Sequence, residues 1–135
     1  MNVPIEYAIP KVHRFLCDEG LRDSVTLVAS GGLRTVYDVA KAIALGADAC
    51  VIGTAELGAI GCTRLGSCEQ GLGCPFGITT TDPELSKLVH VEAGAQQVVN
   101  LYQSWRRQLA AILHALGLNS IAELRGRTDT LVYLE

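Results

Sequence analysis

At 135 residues, 49% of them hydrophobic, the chain has material for one domain of ordinary size with a real core. Its net charge of −3 comes with no basic stripe and no Lys-plus-aromatic pattern, which excludes a nucleic-acid surface. No apolar run approaches the roughly 20 residues that span a bilayer, and the opening Met-Asn-Val-Pro-Ile-Glu lacks the basic and apolar regions of a signal peptide, so the expectation is a cytoplasmic protein without a membrane partner.

Residues 10–20 place Val12, Phe15 and Leu16 at helical spacing and end on Gly20, which predicts a helix with a glycine C-cap. Residues 25–29 (Val-Thr-Leu-Val-Ala) form a short run suited to burial on both faces of a parallel sheet, broken by Ser30-Gly31-Gly32. Thr35 then opens a helix, with Asp38 at the capping-box position and Val36, Val39, Ala40 and Ile43 along one side, and Gly46 closes it. Residues 49–52 (Ala-Cys-Val-Ile) read as the next buried strand, ended by Gly53-Thr54. The order strand, glycine turn, helix, strand, glycine turn is a βαβ unit and predicts a parallel sheet.

A helical turn or two is expected over residues 55–60, then a Cys/Gly-rich stretch over 61–77 and a polar turn over 79–84 punctuated by Asp82-Pro83. Residues 93–116 predict a long helix, since Val98, Leu101, Tyr102, Trp105, Leu109, Ile112, Leu113 and Leu116 hold a 3.6-residue stripe. Ser120 with Glu123 forms another capping box for a short helix ending before Gly126, and residues 130–134 predict a final strand or an extended arm.

Two features carry chemistry. Parallel strands that end in glycine turns present backbone N–H groups at one sheet edge, and helices starting there add partial positive charge, a combination that binds phosphate. In β/α barrels the loops after the last two strands often do this. Here those loops are Ser30-Gly31-Gly32 and Gly53-Thr54, with the amides of Gly32 and Gly53 as donors and a hydroxyl from Thr54. The plainer alternative is that the glycines only make tight turns. A dinucleotide-binding Rossmann unit fits worse, because no G-x-G-x-x-G follows a strand.

The second feature is the run Cys62, Cys68 and Cys74, spaced C-x5-C-x5-C, with glycines between and Pro75 after the last. Five cysteines, an odd number without an export signal, argue against a disulfide framework. Cys17 and Cys50 lie among apolar residues and read as small buried hydrophobes. Zinc favours four ligands with pairs two to four residues apart, and neither that spacing nor a well-placed His90 or His114 is found. Three thiolates in one loop fit a 3Fe-4S cluster, and Cys-Pro is a habit of cluster loops. The alternatives are three unliganded thiols or a zinc-binding domain.

The order of these motifs resembles the FMN-binding barrel of the glutamate synthase large subunit. The resemblance runs from about Arg22 to Leu131: a strand ending in SGG, the helix TVYDVAKAIALGAD, a strand ending in IGTA, the cysteine loop ending in C-P-x-G, a long helix, and SIAELRGRTD. Shorter glutamate-synthase-like subunits, including those of N-methylglutamate synthases, look closer still through TTTDPEL at residues 79–85. The resemblance implies an α/β fold, the C-terminal part of a (β/α)8 TIM barrel. Residues 1–60 would be its last two βα units, 61–78 an iron–sulfur loop and 79–135 a helical C-terminal extension. It implies that Ser30, Gly31, Gly32, Gly53 and Thr54 contact the FMN phosphate and that Cys62, Cys68 and Cys74 ligate a 3Fe-4S cluster. In the family four residues separate the second and third cysteines where this chain has five, which leaves 3Fe-4S and 4Fe-4S both open.

A full barrel takes about 250 residues, so the residues for the flavin ring and for 2-oxoglutarate fall outside this stretch, and no catalytic residue is assigned. The expected reading is the FMN- and iron–sulfur-binding fragment of an oxidoreductase that reduces an imine of 2-oxoglutarate with ammonia or an amine, inactive alone. Its implied partners are the N-terminal barrel segment or companion synthase subunits, and an electron donor, either ferredoxin or a reductase subunit. A reading of a different class is a non-catalytic cluster-binding or assembly module.

Overall fold

The computed structural model describes residues 3–132. It is an α/β structure with one small parallel sheet and six α-helices among the described residues. In chain order these are α1 (Ile5–Asp18), β1 (Val28–Ser30), α2 (Val36–Ala44), β2 (Ala49–Val51), α3 (Gly53–Ala59), α4 (Pro83–Ser86), α5 (Val91–Ala115) and α6 (Ile121–Leu124). The chain divides into two compact units. One comprises residues up to Ile52 together with those from Trp105 onward, and the other is Gly53–Ser104.

In the first unit β1 and β2 pair in parallel, Val28 opposite Ala49, Ala29 opposite Cys50 and Ser30 opposite Val51. The helix between them starts where the sequence places it. Thr35 accepts from the Asp38 amide while the Asp38 carboxylate takes the Thr35 amide, a complete capping box. The core gathers Ile9, Ala29, Leu33, Ala40, Ile43, Ala47 and Leu124, with Leu109, Ile112 and Leu113 of α5 partly buried against it. Alanines on α2 let α6 come close, so the short Ser120-capped helix fills a place that its own four residues could not hold.

Several local expectations need correcting. The first helix begins at Ile5, not at Pro10, and runs through that proline. Its inner stripe is Ile5, Ile9 and Leu16, while Val12 is 42% and Phe15 60% exposed. Because that stripe fixes the helix phase, Cys17 lies about 100° round from Leu16 and is exposed. Cys50 is half-buried against the core, and burial pushes its thiol up.

The first strand is shorter than its sequence, because the carbonyl of Val25 and the amide of Leu27 are engaged by Arg22 and Asp48 instead. Neither strand is buried on both faces: Ala29 is buried, but Val28 and Val51 are 50% and 52% exposed. Each strand has one strand neighbour among the described residues, and the face carrying Val28 and Val51 is open as well. After α6, Thr130 closes a 3-10 turn (Thr128–Thr130); Leu131 and Val132 form no strand, while Leu131 is extended at φ −101° and ψ 139°, and the last two residues of the expected arm lie outside the described residues.

The long helix appears close to its predicted limits, and Val98, Leu101, Trp105, Leu109, Ile112 and Leu113 lie half-buried along it. Tyr102 and Leu116, assigned to the same stripe, are exposed. Within the second unit the Tyr102 hydroxyl donates to Glu56 at 2.5 Å, tying α5 to α3. No described helix is long and apolar enough to cross a membrane.

Candidate functional site

The parallel register makes β1 and β2 end level, since Ser30 lies opposite Val51. The turn after β1 and the chain beyond Val51 therefore leave from the same sheet edge. Gly31 and Gly32 have φ of 113° and 73°, a left-handed conformation that L side chains rarely adopt, so the turn requires glycine at both positions. Gly53 has an ordinary backbone and opens α3, with Thr54 next. A Cβ on Gly31, Gly32 or Gly53 would meet nothing within 4 Å. Packing against this chain therefore does not explain a glycine at Gly53.

The cysteine loop lies wholly in the second unit. Its turns are made by Gly66, Gly71, Gly73 and Gly77, all at positive φ, together with Arg64 at φ 56°. Backbone bonds from Cys62 to the Leu57 carbonyl and from Leu72 to the Ser67 carbonyl, each 2.9 Å, fold it back on itself. A cavity of about 140 Å³ results, and Cys62, Cys68 and Cys74 all line it, together with Thr54, Leu57, Arg64 and Phe76. Cys74 is buried, Cys62 half-buried and Cys68 exposed. The backbone amide of Thr79 holds the Cys74 thiol below its ordinary value, helped by the amides of Phe76 and Ile78 and by the Thr79 hydroxyl, against burial that pushes it up.

Amide donors around a buried sulfur favour its thiolate form, the form that ligates metal. The three thiols share one cavity wall, and neither His90 nor His114 is on it. Among the described residues no three Cys, His, Asp or Glu side chains converge to metal-holding distance.

The residues matched to the family described as a conserved region in glutamate synthase are 1–119, most of the chain. The chain belongs to that family. Among glutamate synthases, it is 49% identical to the archaeal glutamate synthase [NADPH] of Methanocaldococcus jannaschii over 131 residues, which cover 97% of this chain and 26% of that protein. The archaeal-type glutamate synthase [NADPH] of Thermotoga maritima is 43% identical over the same shares. The glutamate synthase [NADH] of Schizosaccharomyces pombe is 36% identical over 99% of this chain and 6% of its own length. The chain thus spans about a quarter of the archaeal-type glutamate synthases that it matches.

One cluster escaped the sequence reading. Arg22, only 6% exposed, donates to His13 Nδ1, to the carbonyls of Val25 and Gly46, and to Asp48 Oδ2, at 2.8 to 2.9 Å. Asp48 also takes the Leu27 amide at 2.7 Å and Arg125 Nη1 at 2.8 Å. Burial pushes the Asp48 carboxyl up, but the Leu27 amide, Arg125 and Arg22 outweigh it and bring it to about 2. The cluster joins the turn before β1, the turn before β2 and the residue after α6, so it anchors the roots of both strands. The available signal was an acidic residue directly before an apolar strand, but spacing alone could not name its partners.

Proposed function

We propose that this chain is the FMN- and iron–sulfur-binding C-terminal part of a glutamate-synthase-type oxidoreductase acting on CH–NH2 donors. Residues 1–60 would supply the last two βα units of a TIM barrel, 61–78 the cluster loop and 79–135 the helical extension. Ser30, Gly31, Gly32, Gly53 and Thr54 would hold the FMN phosphate, and Cys62, Cys68 and Cys74 a 3Fe-4S cluster. The observation that carries the reading is the single cavity shared by Cys62, Cys68 and Cys74, with Thr54 on its wall. The level ends of two parallel strands support the phosphate assignment.

Bound there, the two groups would supply electron transfer and delivery of hydride to an imine of 2-oxoglutarate. This chain's own residues would bind and orient: amides on phosphate oxygens, thiolates on iron, and amides from residues 76–79 on one of those thiolates. The electron donor would be ferredoxin or a reductase subunit, and the remaining barrel strands would come from other segments of the enzyme.

The test is anaerobic reconstitution with iron and sulfide, followed by assay of both. Iron and acid-labile sulfide at about 3:4 are expected, with Cys68→Ser losing most of each. Stoichiometric zinc without sulfide would overturn the reading in favour of a zinc domain.

A further inference from the structure

The Gly31–Gly32 turn is short, exposed and held at both ends. Ser30 before it is fixed by the parallel register opposite Val51. Leu33 after it is 4% exposed and joins the core with Ala29, Ala40 and Ile43. The two glycines therefore bridge a paired strand and a buried side chain, and a Cβ on either would meet nothing within 4 Å. The turn stands open while its flanks are packed.

Beyond Leu33 the chain is tied down by one atom. Asp38 Oδ2 accepts the Arg34 amide at 3.0 Å, the Thr35 amide at 2.9 Å and the Thr35 hydroxyl at 2.9 Å. In return the Asp38 amide donates to Thr35 Oγ1 at 3.2 Å. That return bond is enough to cap α2. The three bonds to Oδ2 do more, because they hold two amides that lie between the turn and the helix. They also use those amides up, and the Asp38 charge offsets the partial positive charge of the α2 N-terminus. Phosphate arriving at this loop is left with the amides of the glycine turn, whose effect depends on the turn being shaped in advance.

We infer that Asp38, acting with the buried Leu33, is a positioning residue that pre-shapes the Gly31–Gly32 turn for a phosphomonoester. This rests on the phosphate reading above. All three bonds end on one oxygen, so the work is done by an acceptor at that place and not by the charge of the carboxylate. An amide oxygen there would serve equally well.

The experiment compares FMN with riboflavin, the same flavin without its phosphate, in titrations of the full-length assembly. The parent should bind FMN more tightly than riboflavin. Asp38→Ala should lose on the order of ten-fold in FMN affinity and keep the parent affinity for riboflavin, a phosphate-specific loss that a loosened fold would not give. Asp38→Asn keeps the acceptor oxygen and sheds the charge, so it should bind FMN at least as tightly as the parent. Thr35→Ala removes the hydroxyl of the cap and leaves both amides on Asp38. It should lower the denaturant midpoint and retain the preference for FMN. An Asp38→Ala protein with the parent's FMN preference, or an Asp38→Asn protein as weak as Asp38→Ala, would overturn the inference and leave the phosphate reading standing. A parent that binds FMN no better than riboflavin would overturn both.

Discussion

Asp48 Oδ2 lies 2.8 Å from Arg22 Nη2, and the arginine, at 6% exposure, is the one buried charged residue among those described. The pair sits where β1 and β2 begin, so its loss would loosen the sheet whose far ends are proposed to hold phosphate. Removing one partner of a buried pair leaves the other charge uncompensated. Asp48→Asn should therefore cost about 2–3 kcal/mol of stability. Arg22 keeps its bonds to the Val25 and Gly46 carbonyls, which limits the damage. The shift of the denaturant midpoint measures it, and an unchanged midpoint would reduce the pair to a surface ornament.

The same cluster predicts how stability responds to acid. His13 Nδ1 accepts from Arg22 Nε at 2.8 Å, so the ring must be neutral there. Burial lowers its pKa, and the charges of Arg22 and Arg125 lower it further. A depressed histidine gives stability that is complete above its unfolded value of 6.5 and lost as pH falls toward the folded value. Asp48, lowered from 3.8 to about 2, gives stability present above 3.8 and lost as pH falls through about 2. That shift corresponds to about 2 kcal/mol. Stability should thus fall first below pH 6.5 and again below 3.8. His13→Gln, which can still accept from Arg22, should flatten the first step only.

Gly46 closes α2 at φ 120°, and a Cβ there would stand 2.3 Å from His13 Cγ. Gly46→Ala must displace the ring and with it the acceptor for Arg22. A loss above about 2 kcal/mol is expected, larger than at Gly20, which shares the positive φ but has open space beside it. Equal losses at the two positions would mean that backbone strain alone decides.

What the sequence made legible follows from how local each signal is. Thr35 with Asp38 and Ser120 with Glu123 announced their helices because a cap needs only residues three apart. The α5 stripe was readable because it repeats over many turns. Phase was harder: Phe15 fits a helical spacing, yet the core takes Ile9 and Leu16, and Cys17 follows Leu16 out into solvent. The Arg22–Asp48–Arg125 cluster was invisible because its members lie 26 and 77 residues apart. The cysteine spacing pointed to one loop, but the amides around Cys74 come from a turn whose shape depends on a contact between Gly77 and Leu85.

The phosphate assignment is tested at Gly53. A Cβ there meets nothing, so the free fold should tolerate substitution. Gly53→Asp would set a carboxylate beside the proposed phosphate and weaken FMN binding by on the order of several kcal/mol. Gly53→Ala serves as the control for size without charge. In a flavin titration of the full-length assembly, equal affinity for Gly53→Asp and the parent would place the phosphate elsewhere.

The last prediction concerns what the chain can do by itself. Val28 and Val51 are half exposed, and each strand of the sheet has one strand neighbour among the described residues. Apolar strands with open edges gain stability when further strands pair with them, and they aggregate when none do. The curated glutamate synthases place this stretch within a chain about four times as long. Expressed alone, the chain should be loosely packed or aggregation-prone, with little stable FMN binding and no amine-forming activity on 2-oxoglutarate. Supplying the N-terminal barrel segment in trans, or fusing it, should restore flavin binding before activity, because the proposal takes the phosphate contacts from this chain and the ring contacts from the other. Hydrogen exchange at residues 28–30 and 49–51 should slow on addition of that segment, as newly paired strand amides leave solvent. A well-folded monomer that binds FMN tightly on its own, with those amides already protected, would show that the two strands need no further barrel.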